Sequence, residues 1–197
     1  MSEISLEGIN DWFVSGIENE KWTITYQDFD PVKERTREAL LTVGNGYFGT
    51  RGAMEETASS KVHSPGTYIA GLYNRLESRV GDRFVENEDF VNAPNWLPVT
   101  FRIDNEEYFD FSKVKFLEFN KSLDFRNGVF SRRIVVEDSS GRVTAIDSNR
   151  LASMANPHQA ALQYSITPLS YSAHITIRTG INGDIINEGV ERYKQLN

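Results

Sequence analysis

Apolar and polar residues alternate with period two over most of the chain beyond residue 97, the pattern of strands with one buried face. Val99 to Ile103 predicts a strand that pairs with Tyr108-Phe109 across Asp104-Asn105-Glu106. Val114 to Phe125 and Val129 to Glu137 flank Asn127-Gly128, a hairpin signal. Ser139-Ser140-Gly141 turns into Val143 to Arg150, and Leu162, Tyr164 and Ile166 alternate with Gln163, Ser165 and Thr167. Ile175 and Ile177 alternate with Thr176 and Arg178, leading to an Asn-Gly turn at Asn182-Gly183. Near the start, Trp22 to Tyr26 also alternates and ends at Phe29-Asp30-Pro31, after which Val32 to Glu38 is charged and fits neither period. Helical spacing appears in Ile4 to Glu18, where Leu6, Ile9, Phe13 and Ile17 recur at steps of three and four, interrupted by Gly8 and Gly16. The pattern predicts an all-β antiparallel sandwich or barrel over 22–197, preceded by a helical or extended segment over 1–21.

Residues 44–56, GNGYFGTRGAMEE, place Gly44, Gly46, Gly49 and Gly52 within nine positions. With the apolar run Ala39 to Val43 before it, the stretch predicts a strand, a tight turn at Asn45-Gly46, and a second strand with a bulge or close backbone approach. It is neither a dinucleotide fingerprint nor a phosphate loop, because no helical period follows and no Lys-Ser/Thr pair closes it. Residues 58–66 frame a surface loop holding a solvated His63, and Thr67 to Tyr73 returns to strand composition. Arg75 to Pro98 is irregular and charged, which predicts a long loop, functional or loosely ordered, whose Trp96 and Leu97 fold back onto apolar surface.

Composition narrows the function. At 197 residues one domain is expected, and a core of ordinary size needs no staples. The absence of cysteine removes disulfides, thiolate nucleophiles and zinc–thiolate sites. A net charge of −7 argues against nucleic acid and anionic membrane as partners. No apolar run approaches the roughly 20 residues that span a bilayer. The first residues resemble no signal peptide, so the expected location is cytoplasmic, the periplasm staying open for a precursor whose signal was removed.

Candidate chemistry is sparse. Glu55-Glu56 and Glu86-Glu88-Asp89 have the residue type that glycoside cleavage uses as paired acid and base, though acidic loop residues are common. His63, His158 and His174 show neither metal spacing nor a triad arrangement, so no metal site and no catalytic residue is assigned. Trp96, Tyr47, Tyr68 and Tyr73 could stack on a sugar face, but strand-borne aromatics are expected in the core.

The glycine-rich stretch resembles the signature of the amino-terminal domain of glycoside hydrolase family 65. The resemblance continues through Phe29-Asp30-Pro31, Asn95-Trp96-Leu97-Pro98 with Phe101-Arg102-Ile103-Asp104, Arg150 to Ala155, and His158 to Leu169, covering about Trp22 to Asn197. It implies a large two-sheet antiparallel β-sandwich of the galactose mutarotase-like supersandwich type. It also implies a catalytic helical (α/α) barrel downstream of Asn197, carrying the general acid and acting on an α-glucoside. The domain would then be non-catalytic and inactive alone. Its expected task is to buttress the barrel and lend loops to the active-site rim or to a homodimer contact, with Asn45, Tyr47, Arg51, Glu55, Glu56, His63 and Trp96 as candidates. No cofactor is expected, inorganic phosphate entering as co-substrate. A free-standing carbohydrate-binding or scaffold module is the alternative.

Overall fold

The structure, a computed structural model, describes residues 22–185 and 187. The chain runs through β1 (Thr23–Tyr26), helix α1 (Glu34–Leu40), β2 (Val43–Gly44), β3 (Phe48–Thr50), β4 (Thr67–Ile69), β5 (Tyr73–Val80) and β6 (Arg83–Phe90). It continues through β7 (Val99–Ile103), a 3-10 turn at Phe111–Lys113, β8 (Lys115–Asp124), β9 (Val129–Glu137), β10 (Val143–Ala152), β11 (Ala160–Pro168) and β12 (Ile175–Thr179). All strand pairs are antiparallel.

The expected all-β sandwich is present. One layer is a five-stranded sheet, ordered β1-β8-β9-β10-β11. The other is built of short pieces: β12 with β7, β2-β3-β4, and the isolated bridges Thr67–Ala93 and Asn95–Asn182. Between them Phe101 and Ile103 of β7 pack with Met54 onto Phe119, Ile134, Val136 and Ile146 of the large sheet. A second cluster of Leu41, Val43, Leu123 and Phe130 lies apart from the first.

Alternation locates the long strands well. The Asn127-Gly128 hairpin forms, with Gly128 at φ +65° donating its N–H to Asp124 O at 2.8 Å. The turn between β2 and β3 also forms, with Gly46 (φ +84°) as its first central residue and the Asn45 side chain accepting from the N–H groups of Tyr47 and Phe48. Gly52 makes the anticipated close approach. Its N–H donates to Glu38 O at 2.7 Å, and a β-carbon there would stand 2.5 Å from Leu41 Cβ.

Three expectations need correction, and a fourth falls outside the described residues. The charged stretch 32–38 leads into α1, whose buried positions Glu34, Arg37, Glu38 and the following Leu41 recur at helical steps. Its inner face is charged, which hides the usual amphipathic signal. The segment 75–98 is mostly a hairpin, β5–β6, turning at Gly81 (φ +65°). Its charged, exposed positions carry no period-two hydrophobic signal to read. β7 takes β12 as its strand partner, while Phe109 supplies a single N–H to Phe101 O at 2.7 Å. At Asn182-Gly183, where a turn is expected, the Asn182 side chain accepts from Asp184 N–H at 2.9 Å. The helix expected over Ile4 to Glu18 lies outside the described residues, so the described α-helix is α1.

Replacing Gly52 by alanine should destabilise the chain by about 1–3 kcal/mol, because a methyl group must displace Leu41 and its backbone. Gly183→Ala, where a β-carbon meets nothing within 4 Å, is the control and should stay within about 0.5 kcal/mol in urea denaturation.

Candidate functional site

Strand register places one polar residue from each strand of the large sheet in a single row: Tyr26, Lys121, Arg132, Ser148, Tyr164. The rows on either side of it are mostly apolar: Ile24, Leu123, Phe130, Arg150 and Leu162 on one, and Phe119, Ile134, Ile146 and Ile166 on the other. The polar row faces inward, where Lys121, Arg132, Ser148 and Arg150 are 2% exposed or less. A buried charge survives only with a partner. The opposing layer supplies four: Glu34 and Glu38 from α1, and Glu55 and Glu56 from the segment after β3.

One half of this belt centres on Arg132. Its two terminal nitrogens donate to both oxygens of Glu56 at 2.7 Å each, one of them also reaches Glu55 at 3.0 Å, and Nε donates to Ser148 Oγ at 3.3 Å. Tyr164 OH donates to Glu56 Oε1 at 2.5 Å. Arg150 lies 3.6 Å from Glu55, donates to Ala53 O at 2.7 Å, and stands 4.2 Å over the Phe130 ring. Burial pushes the Arg132 guanidinium down, but Glu56 and Glu55 outweigh it and hold the group above its ordinary value. Arg150 is pushed down by burial to about 10, only partly offset by Glu55, and stays charged at neutral pH. Burial, then the Glu56 carboxylate, raises the Tyr164 phenol, which remains a donor.

The other half joins Lys121 to Glu34 in a fully buried ion pair. Burial lowers the Lys121 ammonium, against the pull of Glu34. Beside it Glu38 receives Ser64 N–H at 2.7 Å and contacts His63 Nδ1 at 2.9 Å. Ligand atoms of Glu34, Glu38 and His63 come within 4.8 Å of one another. A dication there would have to displace Lys121 from Glu34 and the donors already on Glu38, so we assign none.

A cavity of about 530 Å³ opens beside the first half. Its walls include Glu56, Tyr68, Phe90, Asn92, Asn95 and Asn182. The Tyr68 and Phe90 rings are stacked at 5.4 Å. Although Glu55 and Glu56 border this space, Arg132, Arg150 and Tyr164 hold their carboxylates, which suits positioning and not proton delivery.

The family described as glycosyl hydrolase family 65, N-terminal domain, matches residues 24–197. The chain belongs to it. An uncharacterised glycosyl hydrolase of Mycobacterium tuberculosis is 42% identical over 90% of this chain and 13% of its own length. A kojibiose phosphorylase of Caldanaerobacter subterraneus subsp. tengcongensis is 36% identical over 85% of this chain and 20% of its own. A solved structure from the human microbiome, provisionally titled a kojibiose phosphorylase, superposes with a TM-score of 0.68 at 28% identity, covering 76% of this chain and 20% of that one. The chain thus spans about a fifth or less of the length of these relatives.

Within this family 65 domain the anticipated residues divide among several places. Glu55 and Glu56 join the belt. His63 is buried on Glu38 and stacked near Phe29, contrary to a solvated loop histidine, because Glu38 needs a second donor. Asn45 donates to Ser153 O at 2.7 Å and Pro157 O at 3.0 Å, tying the β2–β3 turn to the β10–β11 connection. Tyr47 there stands 4.3 Å from the exposed His158 ring. Arg51 reaches Arg35 O at 2.6 Å, and Trp96 is half-buried outside the cavity wall. Tyr47 and Tyr73 are 37% and 50% exposed, so they are not core residues as expected. Lys121, Arg132, Ser148 and Tyr164 went unrecognised from sequence. The available signal was parity: each occupies the inward phase of an otherwise apolar alternation.

Arg132→Met should destabilise the domain by about 3–5 kcal/mol, since it leaves Glu55 and Glu56 buried without their shared cation. Adding Glu55→Gln and Glu56→Gln to that variant should recover part of the loss, which urea denaturation of the series would measure.

Proposed function

We propose that this domain is the non-catalytic amino-terminal sandwich of a larger, inverting enzyme that cleaves the α-linkage of a glucose disaccharide, with phosphate in preference to water as the attacking group. The observation that carries the reading is the clamping of its best-placed carboxylates, Glu55 and Glu56, by buried arginines. A domain whose acids are committed to holding its own layers together supports chemistry located elsewhere. The names of its relatives support the substrate class: besides the kojibiose phosphorylase, a trehalose 6-phosphate phosphorylase of Lactococcus lactis is 34% identical over 88% of this chain. The β5–β6 hairpin is the candidate for contact with the catalytic barrel, because it presents Tyr73, Phe84, Val85 and Phe90 to solvent at 43–71% exposure.

In this scheme one acid protonates the leaving oxygen as the glucosyl centre becomes oxocarbenium-like. A hydrolase then needs a second carboxylate to activate water on the opposite face. A phosphorylase needs a cationic, hydrogen-bonding pocket instead, because phosphate is already nucleophilic. A second reading, a carbohydrate-binding module, is favoured by the cavity with its stacked aromatic pair and amide lining. Binding of a neutral disaccharide to the 197-residue chain, measured by calorimetry, would support it.

The deciding assay uses the full-length protein with kojibiose, maltose or trehalose, with and without inorganic phosphate, and identifies the first product by NMR. β-Glucose 1-phosphate is expected, and β-glucose formed equally well without phosphate would replace phosphorolysis by hydrolysis. An α-configured first product would overturn the reading. The 197-residue chain alone should turn over none of these sugars.

A further inference from the structure

The outer face of the small β7–β12 sheet gathers two arginines on one aromatic ring. Phe101 and Ile103 of β7 belong to the core, so Thr100 and Arg102, which alternate with them, lie on the opposite face. Antiparallel register sets Thr100 beside Arg178 of β12, and Arg102 beside Thr176. Arg102 and Arg178 are therefore diagonal neighbours on that face. Tyr108, from the segment after β7, meets both. The Arg178 guanidinium carbon stands 3.9 Å from the ring centroid, and that of Arg102 stands 5.6 Å from it.

Like charges gathered in this way repel unless an opposite charge lies between them. Other arginines of the domain come with their acids: Arg132 with Glu55 and Glu56, Arg133 with Glu118 and Asp147, Arg142 with Glu106 and Asp138. Among the described residues no acid and no hydrogen-bond acceptor engages Arg102 or Arg178. The acids closest to Tyr108 in sequence have other partners. Glu107 meets Lys113 at 2.7 Å, Glu106 meets Arg142 at 2.6 Å, and Asp104 accepts from His174 N–H at 3.0 Å.

Two further observations mark a place built to receive an acceptor. Arg102 Nε and Thr100 Oγ1 are buried atoms without a hydrogen-bond partner. A buried donor in that condition is costly, and native structures rarely leave one so. The Tyr108 ring also fixes where the two guanidinium groups stand, so little order remains to be imposed when a ligand arrives.

We propose that Arg102, Arg178 and Thr100 form a binding site for a phosphate group, as inorganic phosphate or as a sugar ester. A carboxylate brings two oxygens and one charge, which a single guanidinium fork already matches. A phosphate brings three or more acceptor oxygens and about two charges, which suits two guanidinium groups from adjacent strands together with a hydroxyl. Arginine fits both positions better than lysine, because its planar group stacks on the ring and still pairs in a bidentate manner. Thr100 and Arg178 also line the cavity of about 530 Å³, which leaves room beside the phosphate for the sugar of an ester. The site rests on these side chains alone and is independent of the catalytic reading.

The test follows the arginine Nε–H resonances of the full-length protein by NMR during titration with inorganic phosphate and, separately, with glucose 6-phosphate. The Arg102 and Arg178 signals are identified by their loss in Arg102→Lys and Arg178→Lys. They should move together and saturate with a dissociation constant of about 1 mM or tighter. Each lysine variant should weaken the response at the remaining arginine about tenfold or more, since it keeps the charge and loses the fork. Saturation with either titrant supports the site, and the tighter of the two names the source of the phosphate. Because the readout is at these two side chains, phosphate bound at a catalytic centre does not register in it. Shifts that only track ionic strength, as in a sodium chloride control, would overturn the proposal. So would signals that neither titrant moves, which would give both guanidinium groups to acidic side chains of the polypeptide itself.

Discussion

The charged side chains of Glu34, Glu38, Glu55, Glu56, Lys121, Arg132 and Arg150, buried between the two layers, impose a constraint that most of this structure satisfies. Removing an ion from water costs several kcal/mol even after relaxation. An attraction of about 4 kcal/mol for a pair 4 Å apart at an effective dielectric constant near 20 offsets that only if partners are close and oriented. Arg132 meets the condition by holding two carboxylates at 2.7–3.0 Å. Satisfying it fixes where other segments go. The turn after β3 must deliver Glu55 and Glu56 over β9, and α1 must lie with Glu34 and Glu38 inward over β8. Gly52 lets the first of these segments pass close to the end of the second.

The belt also explains why the interior forms two apolar clusters. Packing a polar row, charged at Lys121 and Arg132, across the five strands leaves Phe119, Ile134 and Ile146 on one side and Leu123 and Phe130 on the other. Well-packed hydrophobic residues in the same row would often be at least as stable. Oriented ion pairs, however, accept few alternative registers. A one-residue slip of β9 would turn Arg132 to solvent and strand Glu55 and Glu56. The belt thus specifies how the layers align.

How much of this was legible in the sequence depended on whether burial and polarity agreed. Where they did, as in Val129 to Glu137 and Val143 to Arg150, alternation located the strands and Asn127-Gly128 located their turn. Where they disagreed, the reading failed. α1 buries Glu34, Arg37 and Glu38, so its helical period was written in charges. β5 and β6 put charged residues at exposed positions, so no hydrophobic period marked them. Glu55, Glu56 and His63 were recognised as candidates by residue type, but their partners Arg132, Arg150 and Glu38 lie 25 to 95 positions away, and only the register brings them together. Residue type and family resemblance marked these groups as interface or rim candidates, while the contacts with their partners are visible only in the fold.

The belt runs out to a half-buried position at Tyr164. This residue ends the polar row on β11, the edge strand among the described residues, with its hydroxyl on Glu56. Water reaching that edge raises the local dielectric and weakens the attraction between Glu56 and Arg132. The hold of Glu56 on Arg132 is therefore expected to be weaker on the Tyr164 side than at Arg132 itself, which is 2% exposed.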